Sequence, residues 1–136
     1  MGLDMYLTGE KFFTSLDGKR PKDDEGYEVE KQVLTLGYWR KHANLHGYIV
    51  ATFADNKDEC QDIELDLEQL EALLEVVKDP ANMPKTEGFF FGESSNDEAQ
   101  IKEDTEIIAK AIGFLTSPAV TQEKGVWRSV HYRASW

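Results

Sequence analysis

Residues 63–78 read IELDLEQLEALLEVVK, and this stretch decides the fold class. Ile63 and Leu65 alternate with Glu64 as in a short strand that runs straight into Asp66, a good helix N-cap with Gln69 at the reciprocal position of a capping box. Beyond the cap, Leu67, Leu70, Leu74 and Val77 recur at intervals of three and four with Leu73 beside them. Glu68, Glu71 and Glu75 occupy the opposite face, and Pro80 ends the helix. A strand passing directly into an amphipathic helix places both element types in one domain.

Toward the amino terminus, Leu3, Met5 and Leu7 alternate with Asp4, Tyr6 and Thr8, which predicts a half-buried first strand. Residues 14–26 are rich in turn formers and read as a loop or hairpin tip. Alternation from Tyr27 to Thr35 predicts a second strand that leaves the sheet near Gly37. Trp39, Ala43, His46, Val50 and Phe53 then recur at helical spacing, with Gly47 a local cost in propensity.

Toward the carboxyl terminus, Gly88 to Gly92 reads as a short aromatic strand between glycines. Ile101, Thr105, Ile108, Ile112 and Leu115 predict another helix, capped in the region of Ser94 to Asp97 and closed by Pro118. Val126 to Trp136 alternates as a closing strand, with Trp127, Ser129, His131 and Arg133 on one side and Val130, Tyr132, Ala134 and Trp136 on the other. The element order lacks regular βα alternation and holds no glycine-rich phosphate loop. It predicts a single α+β domain over residues 1–136, with an antiparallel or mixed sheet of about four to five strands packed with about three helices.

The charge balance bounds the function. Twenty-six acidic against fifteen basic residues leave a net charge of −11, a surface sign that repels phosphate backbones and argues against direct nucleic-acid binding. Such a surface serves solubility, and it also suits a decoy presenting carboxylates to a basic partner. Cys60 is the only cysteine, so no intramolecular disulfide or CxxC pair exists. No apolar run reaches the ~18 residues of a membrane span, and Asp4 stands where a signal peptide carries basic residues. A cytoplasmic protein with no membrane contact is expected.

Chemistry-bearing constellations are sparse. His42 and His46 lie four apart, but Ala43 stands where a metalloprotease motif requires Glu, and Arg40 and Lys41 disfavour a cation, so no metal or cofactor is expected. His42 reads as solvated and His46 as a core or pocket-edge residue. Asp58, Glu59 and Asp62 around Cys60 oppose an activated thiol. Tyr38, Arg40, Lys41 and His46 form an aromatic and basic patch that one reading places around an anion site at a strand–helix junction, joined by Asp4 and by Glu93 or Asp97. The alternative puts Trp39 in the core and pairs Arg40 and Lys41 with surface acids.

The segments Met1–Leu7 (MGLDMYL), Gly37–Lys41 (GYWRK) with His46, Gly88–Gly92 (GFFFG) and Tyr132–Trp136 (YRASW) together resemble a family of small proteins encoded by bacteriophages, prophages and bacteria. The family pattern carries Asn where this chain has Ala43. The resemblance brings context without an activity: compact accessory proteins that bind and redirect host machinery. Two functions follow as expectations. The first is a non-enzymatic protein that binds a host protein with a basic surface, as an inhibitor of a defence or nucleic-acid-handling system, with Glu68, Glu71 and Glu75 as partner-binding residues. The second is a small-ligand protein or enzyme using Tyr38, Arg40, Lys41 and His46.

Overall fold

The computed structural model describes residues 2–14, 20–83, 97–122 and 125–136. The predicted aromatic strand at Gly88–Gly92 and Glu93 lie outside the described residues. The elements are β1 (Asp4–Phe13), β2 (Lys31–Arg40), α1 (Ala43–Phe53), β3 (Ile63–Leu65), α2 (Leu67–Lys78), α3 (Glu98–Thr116), a short α4 (Pro118–Gln122) and β4 (Val126–Ser135), with a 3-10 turn at Pro80–Asn82. The four strands form one open antiparallel sheet in the order β2-β1-β4-β3. The α+β architecture read from the sequence is therefore the architecture of the chain.

One face of the sheet is buried by the helices. Met5 and Leu7 on β1, Trp39 on β2, Ile63 and Leu65 on β3, and Val130, Tyr132 and Ala134 on β4 meet Leu45 and Ile49 of α1, Leu70, Leu73 and Val77 of α2, and Ile108 of α3 in one core. Helix α2 begins as its sequence requires: Asp66 accepts from the Gln69 amide at 2.8 Å while the Gln69 side chain accepts from the Asp66 amide at 2.9 Å. Asp97 caps α3 by a single bond, accepting from the Gln100 backbone N–H at 2.8 Å. The sheet approaches α3 closely at two glycines, because a Cβ on Gly37 would overlap the side chain of Ile107 and one on Gly9 would lie 2.9 Å from the Phe114 ring.

The second strand differs from its sequence reading. It spans Lys31–Arg40, so Tyr38, Trp39 and Arg40 are strand residues and α1 begins only at Ala43. The ladder decides this, since β2 pairs with β1 from Lys31 opposite Phe12 to Arg40 opposite Asp4 across a bulge at Leu7/Thr8. The bulge breaks the alternation of β2 and buries Leu36 together with Trp39. Lys41 then turns the chain with a φ of 59°, its amide donating to the Leu3 carbonyl at 2.8 Å. Among the described residues no helix is long and apolar enough to cross a membrane.

Candidate binding face of the sheet

The face of the sheet opposite the helices is open. Alternation along β1 and β4 brings Asp4, Tyr6, Thr8, Glu10 and Phe12 together with Trp127, Ser129, His131 and Arg133, and β2 adds Lys31, Val33, Tyr38 and Arg40. Several large groups stand in water here: Tyr6 is 37%, Phe12 40%, Tyr38 44%, Val33 57% and Trp127 68% exposed. Tyr6 and Tyr38 pack ring against ring at 5.4 Å between centroids. The Tyr38 hydroxyl donates to Asp4, which lifts the Tyr38 pKa above its ordinary value, and Arg40 stands 3.7 Å from the same carboxylate.

The four residues of the sequence-based anion site do not converge. Tyr38 and Arg40 project from the open face beside Asp4, and Lys41 is exposed at the turn. His46 lies on the helix side of the sheet, buried. Its Nε2–H donates to Asp58, 2.9 and 3.0 Å from the two oxygens, and its Nδ1 accepts from the Tyr132 hydroxyl at 2.6 Å. Trp136 packs on the same imidazole at 5.6 Å. Burial raises the Tyr132 pKa well above its ordinary value, with Asp58 a smaller cause. Asp97 caps α3.

His42, read as solvated, is instead buried, and with it comes a buried carboxylate that the sequence did not single out. Asp104 of α3 accepts from the Trp39 indole N–H at 2.8 Å, the Gln100 side-chain Nε2–H at 2.8 Å and the His42 Nε2–H at 2.7 Å. These groups leave the carboxylate satisfied, as a buried charge requires. The cluster ties α3 to β2 and to the start of α1. Cys60 is exposed. Glu68, Glu71 and Glu75 are exposed along α2, in the helical layer and away from the open face.

Two clefts mark the open face. The first, about 410 Å³, is lined by Tyr6, Glu10, Lys31, Asp62, His131 and Arg133 among others. His131 Nδ1 lies 2.8 Å from Asp62, and its Nε2 lies 2.7 Å from the Ser129 hydroxyl. This has the connectivity of a serine–histidine–aspartate relay. However, Glu10 also stands 2.5 Å from Nε2 and is itself bound by Lys31 at 3.0 Å. Carboxylates thus stand against both ring nitrogens, with Glu10 closer to Nε2 than Ser129 is, and the arrangement works as a clamp between β1, β4 and the start of β3.

The second cleft, about 470 Å³, lies between Phe12, Trp127, Glu64, Thr14 and Ser129, with Arg128 at its wall. Phe12 and Trp127 are cross-strand partners. Arg128 turns its charge away, donating to the Phe114 carbonyl at 2.9 Å and lying 4.9 Å above that ring. Among the described residues no group of three or more histidine, cysteine or carboxylate side chains is arranged to hold a metal. Comparison of the chain with protein-family models, with curated proteins and with solved structures found no match.

Proposed function

We propose that the protein is a small accessory binding protein of the phage type, which acts by docking the open face of its sheet against a basic protein of a bacterial host. One observation carries this reading: Tyr6, Phe12, Tyr38 and Trp127 share a single sheet face and all remain exposed. Aromatic groups interleaved with arginine and paired charges are the composition of contact surfaces. The net charge of −11 selects the partner's sign and steers its approach, a task to which Glu68, Glu71 and Glu75 on α2 contribute at longer range. A partner that normally handles nucleic acid fits this field, and occupying its basic surface would inhibit it. The small-ligand alternative loses support because Arg40 and His46 face opposite sides of the sheet.

The test is capture from bacterial lysate with the tagged protein at about 50 mM and about 500 mM salt, where screening lengths differ about threefold. A basic protein retained at low salt, released at high salt and lost with the Tyr6→Ala/Tyr38→Ala double variant is the expected result. Recovery of no partner at low salt, or equal recovery by the double variant, would contradict the reading.

A further inference from the structure

We infer that the cleft between Phe12, Trp127 and Glu64 is a cation pocket, built to take the guanidinium or ammonium end of an arginine or lysine side chain from the partner. This rests on the basic-partner reading above and names the chemistry of one contact within it. Phe12 and Trp127 are cross-strand partners on the open face of the β1–β4 ladder, line the same cleft and are 40% and 68% exposed, so their rings are available to a ligand. Aromatic faces attract cations, tryptophan most strongly. Glu64 adds a carboxylate on the same cleft. Every other carboxylate on or beside this sheet face has a cation or donor against it: Asp4 has Tyr38 and Arg40, Glu10 has Lys31 and His131, Asp62 has His131. Among the described residues Glu64 has none, and it stands exposed.

The pocket also lacks a resident cation. Arg128 is committed to the Phe114 carbonyl and ring on the helix side, and the Ser129 and Thr14 hydroxyls are engaged with His131 and the Gly125 carbonyl. The volume of about 470 Å³ accommodates a guanidinium with part of its stem. A second copy of this chain is a poor occupant, because two bodies of charge −11 repel. An anionic ligand would meet Glu64 directly.

Calorimetric titration with a short alternating glycine–arginine peptide, with its citrulline counterpart as the uncharged control, tests the assignment. The panel is the wild type, Glu64→Gln, Trp127→Ala, and the triple change Glu98→Gln/Glu103→Gln/Glu106→Gln at exposed positions of α3, each checked for an unchanged thermal melt. The pocket predicts that the wild type binds the arginine peptide and not the citrulline one, and that Glu64→Gln and Trp127→Ala each weaken binding about three- to fivefold, the scale of one exposed cation–π or ion-pair contact. The triple variant should bind within about twofold of wild type at 150 mM salt, where charges beyond about 8 Å are screened. Equal affinity in the two cleft variants with loss in the triple variant would overturn the pocket while leaving a basic partner in place. No binding of the arginine peptide by the wild type would overturn both.

Discussion

The Asp104 carboxylate receives the indole N–H of Trp39 at 2.8 Å, joining α3 to β2 across 65 positions of sequence. The same carboxylate holds His42 and Gln100, so one side chain fixes the strand end, the helix start and the covering helix relative to one another. Trp39 lies between Tyr38 and Arg40 on β2 and is buried where they are exposed, so this junction backs that end of the open face.

Removing that acceptor should be costly. Asp104→Ala removes the acceptor shared by the buried Trp39 and His42 and the half-buried Gln100 side chain, and the expected loss is about 3 kcal/mol, with Asp104→Asn losing less because its amide oxygen still accepts. Chemical denaturation of both variants measures it. A loss below about 0.5 kcal/mol for the alanine variant would show that the network does not stabilise the junction.

Alkaline stability follows from Tyr132. Its folded pKa is raised by burial, so the folded state keeps this proton where the unfolded chain, titrating near 10.0, gives it up. The stabilisation is fully present below that value and is lost as pH rises through the higher folded pKa. Of five tyrosines, one should resist spectroscopic titration until the chain unfolds, and the melting temperature should fall above about pH 10. Tyr132→Phe should flatten that fall, and an unchanged slope would contradict the assignment.

Close packing of α3 on the sheet makes Gly37 sensitive. Gly37→Ala drives a methyl into Ile107 and should destabilise by about 1–3 kcal/mol, as overpacking does. Combining it with Ile107→Ala should recover part of that loss, so the two changes are expected to be non-additive in thermal unfolding. Strict additivity would mean that the two residues do not meet.

Ser129 should be chemically inert despite its hydrogen bond to His131. Glu10 and Asp62 hold both ring nitrogens, so a serine-directed fluorophosphonate is expected to leave the chain unmodified, as read by mass spectrometry. Labelling at Ser129 would overturn the description of this cluster as a clamp.

What the sequence disclosed was local. The Asp66 cap, the face of α2 and the alternation of β4 depend on residues within one or two turns of each other, and all three are found in the fold. The register of β2 was not legible, because Trp39, Ala43 and His46 repeat at helical spacing and the pairing of Trp39 with Met5 is a tertiary fact. Asp104 was hidden among twenty-six acids, and only the donors that α3 meets on β2 and α1 distinguish it. The two sides of β4 were legible, but not which of them the helices leave open.

Hydroxyl-radical footprinting of the tagged protein, free and in low-salt bacterial lysate, measures the binding face directly. The account predicts that Tyr6, Phe12, Tyr38 and Trp127 become protected in lysate, and that Tyr27, exposed but off the sheet, stays labelled. Protection confined to residues outside the open face, with those four aromatics labelled as in the free protein, would contradict it.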